Sequence, residues 1–355
     1  MLRLPMATES TPAETPDGID KEEIENWFGA NVESAEPPLR FHKISGGHSN
    51  LTYEVGDSGG RRWALRRPPL GKRLGSAHDM GREQKVVSAL AKTDVPVPPI
   101  AGFCEDESVN GAPFYVREFV EGPILRNQAE AEEHFEESER GAIGERVADT
   151  LVDIHAVDVD AVGLSDLGKK EDYVARQLHR WQGQWEKSKS RDLPIVDEVH
   201  DRLVARIPEQ GQATIVHGDY RLDNMILADS GEVAAVVDWE LCTLGDPLAD
   251  VGMLFVYWAQ PGDQLTALMQ PPTLASGFPS REELMARYVE RSGRDLGELD
   301  FYVALARWKL AIILEGVYSR YAAGGYGKTD QGIEEFAKSV EDLAEAAAEA
   351  EARLG

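Results

Sequence analysis

Cysteine is scarce: the chain has two in 355 residues, Cys104 and Cys242. Two thiols so far apart cannot frame a fold of this size with disulfides, so the sequence reads as that of a cytoplasmic protein. Positive charge is short as well, with 37 Lys plus Arg against 63 Asp plus Glu, a formal net charge of −26 and a pI near 4.7. A surface of that sign repels phosphate backbones and anionic lipid. The densest basic cluster, Arg61, Arg62, Arg66, Arg67, Lys72 and Arg73, forms no stripe that would offset it. Neither nucleic acid nor a membrane is an expected partner. Arg outnumbers Lys, which points to a salt-adapted acidic surface whose stability should respond to molar KCl.

Long apolar runs are missing too. The most apolar helix-length stretch, VALARWKLAIILEGV, carries Arg307, Lys309 and Glu315, and a span needs roughly 18–20 uninterrupted apolar residues. The N-terminal MLRLPMATES lacks the basic start and long apolar stretch of a secretory signal, and the acidic, Pro-bearing residues after it read as a mobile leader over 1–24. No repeat of fixed period is visible, which excludes solenoids. G-x-G-x-x-G after a first strand is absent, which argues against a dinucleotide oxidoreductase.

What is present is a 42% apolar chain with ample core material. Its length exceeds the roughly 250–300 residues at which a single core stops growing, so two lobes are expected. From about 39 to 120 the runs LRFHKIS, LTYEV, RRWALRR and PFYVREFV have strand character and are separated by turn formers, which predicts antiparallel sheet. One helix interrupts it over 80–91, stopped by VPVPP. Beyond Glu121-Gly122-Pro123 the period becomes 3.6. Helices are predicted near 132–156, 171–190, 196–207, 247–259, 281–292, 298–322 and 330–353. The last places Ile333, Phe336, Val340, Leu343 and Ala347 on one stripe. The expected architecture is α+β, with a leader over 1–24, a small sheet lobe over 25–120 and a larger helical lobe over 121–355.

The informative island is Ile215-Val216-His217-Gly218-Asp219, continuing to Asn224, then a second apolar run, Val233–Val237, that delivers Asp238. Three oxygen-bearing side chains, Asp219, Asn224 and Asp238, thus sit at the mouths of short strands. Phosphoryl transfer needs such a set, because its transition state is mostly charge and the protein must hold Mg²⁺ with hard oxygens while orienting the attacking hydroxyl. One such Asp by itself is as well explained by a turn or a cap.

His217-Gly218-Asp219 with Asn224 five residues on and Asp238 fourteen beyond that resembles the catalytic and metal loops of the aminoglycoside phosphotransferase and choline kinase superfamily. The resemblance implies a protein-kinase-like fold with the active site between the two lobes, ATP as co-substrate and Mg²⁺ as cofactor. By the same resemblance Asp219 is the catalytic residue, Asn224 and Asp238 hold the metal, and Asp250 braces the loop. Gly46, Gly47, Ser49 and Asn50 lie where the family has its nucleotide-covering loop, although a Gly-Gly hairpin explains them too. Arg66 stands where the family offers Lys to the phosphates, with Glu83 as its ion-pair partner. Glu118 and Val120 fall at the hinge that presents backbone groups to adenine. The pattern Gly-Gly-His-Ser-Asn, Leu-Arg-Arg-Pro-Pro and His-Gly-Asp-Tyr-Arg-Leu-Asp-Asn is most similar to kinase-like domains related to those joined to acyl-CoA dehydrogenases.

The function implied is transfer of the γ-phosphoryl group of ATP to a small-molecule hydroxyl. The acceptor is a hydroxyacyl or hydroxy-acid compound, or an aminoglycoside-like one. Trp308, Glu315, Tyr318, Arg320 and Tyr321 are the candidates for contacting it. A nucleotide-binding pseudokinase that regulates a metabolic partner is the alternative, and a zinc hydrolase using His217 and Asp219 is a third reading. The sequence carries no signal for oligomeric state.

Overall fold

The computed structural model describes residues 15–44, 50–70, 79–263, 271–322 and 333–354. The chain divides into two compact units. One comprises Met1–Ser88 with Pro98–Phe119, the other Ala89–Val97 with Val120–Gly355.

The first unit opens with a helix that the sequence reading missed, α1 (Lys21–Asn31). Asp20 caps it, accepting from Glu23 N, and Glu22 and Glu23 place negative charge in its first turn, where the helix dipole favours it. Ile24 and Phe28, one turn apart, are fully buried. The leader expected over 1–24 therefore does not hold at its C-terminal end. Tyr53 donates to Asp17 O at 2.6 Å, Asp20 N donates to Asn110 Oδ1 at 2.9 Å, and Arg67 Nη1 donates to Gly18 O.

The sheet follows as β1 (Arg40–Lys43), β2 (Leu51–Gly56), β3 (Arg62–Arg67), β4 (Ile100–Cys104) and β5 (Phe114–Glu118), with α2 (Met80–Leu90) and the short α3 (Glu107–Asn110) between strands. All pairings are antiparallel in the order β1-β2-β3-β5-β4. Asp57 fixes the β2–β3 turn by accepting from Arg61 N at 2.8 Å and Glu36 N at 3.0 Å. On one face Tyr53, Val55, Trp63, Leu65, Phe114 and Val116 pack under Ile24 and Phe28. Alternation turns Arg66 away from Trp63 and Leu65, as the period of 2 requires.

The second unit is mainly helical, with α4 (Gln128–His134), α5 (Glu137–Ala156), α6 (Tyr173–Ser188), α7 (Pro194–Ala205), α8 (Leu248–Tyr257), α9 (Arg281–Ser292), α10 (Leu299–Ala322) and α11 (Ile333–Ala352). The single helix expected near 132–156 is two, because Glu136 is extended and forms a capping box with Glu139 that restarts the helix. Two small antiparallel ladders interrupt the helices, β6 (Thr214–Val216) with β9 (Thr243–Gly245) and β7 (Met225–Leu227) with β8 (Val233–Val236). Trp185, Leu203, Phe301, Trp308, Val340, Leu343 and Ala347 share one core, so the stripe on α11 is buried from Val340 onward. Among the described residues no helix is long and apolar enough to cross a membrane.

Candidate active site

The loop from β6 to β7 is held by its backbone. Asp250, in the first turn of α8 and fully buried, accepts from His217 N at 2.6 Å and from Gly218 N at 2.8 Å. Behind it the His155 ring lies between Asp250 Oδ2, 3.5 Å from Nε2, and the Tyr288 hydroxyl, 2.8 Å from Nδ1. Burial alone would push the Asp250 carboxyl up, but His155, His217 and the Gly218 N–H hold it below the ordinary carboxylate value. Burial keeps His155 below its usual value against the pull of Asp250. The pair therefore stands as carboxylate and neutral imidazole.

His217 serves the loop and not a metal. Its Nε2 donates to Val237 O at 3.1 Å, its Nδ1 accepts from Asp219 N at 3.3 Å, and its ring packs 4.6 Å from that of Trp239. With both nitrogens engaged, the hydrolase reading loses its first ligand. Gly218 takes φ +86, and a Cβ there would lie 3.0 Å from Leu241 Cβ and 3.1 Å from Leu241 O.

Asp219 is then aimed by neighbours on each oxygen. Tyr257 donates to Oδ1 at 3.1 Å and Asn224 Nδ2 to Oδ2 at 3.0 Å, with Arg221 Nε 3.4 Å from Oδ2. Asn224 Nδ2 also donates to Asp219 O at 2.8 Å, so Oδ1 is the atom this amide can offer a cation. Val237 N donates to Asn224 O at 2.9 Å, which ties the two strand mouths together. Asp238 follows at once in the left-handed region, φ 67 and ψ 57, an uncommon state for a non-glycine residue and one met at functional sites. The adjacent Trp239 secures that turn by donating its Nε1–H to Val236 O at 3.0 Å. A carboxylate and an amide oxygen suit Mg²⁺, which takes few protein ligands and completes its shell with phosphate and water.

In the first unit Arg66 Nε meets Glu83 Oε2 at 3.1 Å, the two side chains being 10% and 1% exposed, and Thr52 Oγ1 lies 3.5 Å from Arg66 Nη1. Asn50 is buried just before β2. Gly46, Gly47 and Ser49 lie outside the described residues. Glu118 ends β5 with its N–H donated to Pro99 O at 2.9 Å, so the carbonyl is what it can offer a base. Val120 is half-buried.

The candidate acceptor contacts on α10 fare differently. Glu315 is fully buried and accepts from Ser190 N at 2.9 Å and Ser190 Oγ at 2.7 Å while pairing with Arg191 at 3.2 Å. Trp308 is core, donating to Val196 O at 2.9 Å, and Tyr318 lies under the Arg191 guanidinium. These residues build the helical unit. The Tyr321 side chain lies outside the described residues. Sequence reasoning missed Tyr257, Arg221, His155 and Lys309. Tyr257 was legible in principle, since it stands two turns from Asp250 on one face of α8.

The profile of the Phosphotransferase enzyme family matches residues 40–302. The chain belongs to that family. Acyl-CoA dehydrogenase family member 10 of Mus musculus is 35% identical over 314 residues, covering 87% of this chain and 29% of the mouse protein. The chain thus spans under a third of that relative's length. A solved structure from Ralstonia eutropha, described as a candidate aminoglycoside phosphotransferase, has a TM-score of 0.79 and 34% identity, covering 94% of this chain and 98% of that one. The ADP-bound aminoglycoside phosphotransferase APH(2'')-Ib shares the kinase-like fold at a TM-score of 0.55 and 17% identity, covering 94% of this chain and 99% of that one. The α+β fold of a phosphotransferase is therefore this chain's fold.

Proposed function

We propose that the protein is an ATP-dependent kinase of a small-molecule hydroxyl. The observation that carries this reading is the Asp219 carboxylate, held by Tyr257 and Asn224 on a loop clamped by Asp250. Asp219 accepts the proton of the acceptor hydroxyl as its oxygen attacks the γ-phosphorus and ADP leaves. Asn224 Oδ1 and Asp238 would hold Mg²⁺, which when bound would supply charge neutralisation to the transferring phosphoryl group. Arg66, kept in place by Glu83, binds the α and β phosphates, and its planar fork suits two phosphate oxygens where a lysine would offer a point charge. Gly46, Gly47, Ser49 and Asn50 cover the nucleotide, and the Glu118 carbonyl and Val120 amide meet adenine.

The mouse relative, of which this chain matches 29%, is named for acyl-CoA chemistry, and on that ground we favour a hydroxyacyl or hydroxy-acid acceptor over an aminoglycoside. The test is ADP release on presenting hydroxy acids, hydroxyacyl-CoA esters and aminoglycosides, with Asp219→Asn beside the wild type. Transfer should fall by about a thousandfold or more while nucleotide binding persists. Full turnover by Asp219→Asn would overturn the assignment, and nucleotide binding with no transfer to any acceptor would favour the pseudokinase.

A further inference from the structure

Lys309, on α10, is half-buried in a chain rich in carboxylates, yet among the described residues it has no carboxylate within ion-pair distance. Its Nζ donates to Gly218 O at 2.7 Å, one residue before Asp219, and stands 5.4 Å from the centre of the Trp181 ring on α6. The Arg180 guanidinium stacks 5.7 Å from the centre of the same indole and likewise has no carboxylate partner among the described residues. The buried Trp181 Nε1–H is left without an acceptor as well. Two cations thus lie against one indole ring, and one of them also donates to the loop that carries Asp219.

One N–H of Lys309 is spent on the Gly218 carbonyl. A neutral donor would serve that bond without taking a charge out of water, and desolvating a charge is costly unless a counter-ion compensates. Burial accordingly pulls the Lys309 ammonium below its usual value, with Arg180 adding to the fall and Asp219 and Asp250 opposing it. The other cation near Asp219, Arg221, is already paired with Asp219 and Asp223.

We infer that Lys309, Arg180 and Trp181 form an anion subsite that holds a carboxylate or phosphate of the acceptor while its hydroxyl lies against Asp219. The inference rests on the kinase reading and narrows it to an anionic acceptor. Lys309 and Arg180 supply charge-assisted hydrogen bonds to the anion. A polycationic acceptor would meet two like charges there instead.

The test titrates the full chain with 3-hydroxybutyrate, its neutral amide, 3-hydroxybutyryl-CoA and coenzyme A, followed by indole fluorescence and thermal melting. The wild type should bind an anionic probe below about 20 mM and the amide at least about tenfold more weakly. Arg180→Gln, at an exposed position, and Lys309→Met should each weaken the anion by about tenfold, with Lys309→Arg recovering part of the loss. Binding of the free acid identifies an acceptor carboxylate, and binding of coenzyme A with its ester identifies carrier phosphates. An amide that binds as tightly, an Arg180→Gln chain that binds anions unchanged, or no anion binding at all overturns the subsite. Anion binding with no ADP release to any acceptor would sink the kinase reading and leave the subsite standing. ADP release to neutral or cationic acceptors without anion binding would do the reverse.

Discussion

Tyr257 donates its hydroxyl proton to Asp219 Oδ1 at 3.1 Å from the last turn of the helix whose first turn carries Asp250. One helix therefore fixes the loop's backbone at one end and its carboxylate at the other. Tyr257 also lies under the Arg221 guanidinium, 4.8 Å from the ring centre, so the ring helps set the cation that flanks Asp219. Tyr257→Phe removes the hydroxyl and little volume. A hydrogen bond to a charged group contributes about 1.5–3 kcal/mol, and losing it lets the carboxylate rotate. Steady-state kinetics should show kcat lower by about tenfold or more, with KM for ATP unchanged.

The buried His155–Asp250 pair makes stability depend on pH in a definite sense. An unfolded His155 takes up a proton below its ordinary value of 6.5, whereas the folded ring is held lower by burial. Between the two values the unfolded chain binds more protons, so stability rises with pH there. The contribution is complete above 6.5 and is lost as pH falls through the depressed folded value. Asp250, itself held below 3.8, adds a second loss further into acid. Melting temperature should therefore drop as pH is lowered from about 7.5 to about 5, and His155→Gln should flatten that slope. A slope unchanged by the substitution would show that another group titrates.

Local rules made much of this readable. Alternation in Arg62–Arg67 put Arg66 opposite Trp63 and Leu65, and Arg66 meets Glu83 as expected. The His217–Asn224 spacing marked the loop, because a turn that short forces Asn224 back onto Asp219. Long-range partners were not readable. His155 reaches Asp250 across 95 residues and Lys309 reaches Gly218 across 91, and a sequence shows such a residue only as a polar interruption of an apolar helix. The helix α1 escaped because its acidic composition resembled the leader before it, while its apolar signal is confined largely to Ile24, Trp27 and Phe28. The break at Glu136 escaped because the capping box is built from two glutamates that also suit a helix interior.

The Arg66–Glu83 pair should show itself in both stability and nucleotide affinity. Glu83 is 1% exposed on its side chain; its Oε2 meets Arg66 Nε, and its Oε1 has no hydrogen-bond partner among the described residues. Arg66→Met strands that carboxylate in the core, and breaking a buried pair from one side costs about 3–5 kcal/mol. Chemical denaturation should report a loss of that order together with a raised KM for ATP. The double variant Arg66→Met, Glu83→Leu should recover stability and leave the KM defect. Recovery of both would show that Arg66 acts on the fold alone.

Gly218 and Gly60 separate backbone strain from crowding, since their φ values are nearly equal at +86 and +85. At Gly60, on the β2–β3 turn, a Cβ meets nothing within 4 Å, so Gly60→Ala carries only the left-handed penalty of about 1–2 kcal/mol. At Gly218 the same penalty is joined by contacts of 3.0 and 3.1 Å with Leu241, part of them with its backbone. Relief of that crowding must move the loop, and the atoms that move with it are the Gly218 N–H on Asp250, the carbonyl on Lys309 and the Asp219 side chain. Gly60→Ala should thus lower the melting temperature with kcat intact. Gly218→Ala should lower it further and cut kcat by about a hundredfold. Equal kcat in the two variants would mean that Asp219 tolerates displacement of its loop, and the positioning assigned to Asp250 and Tyr257 would fall with it.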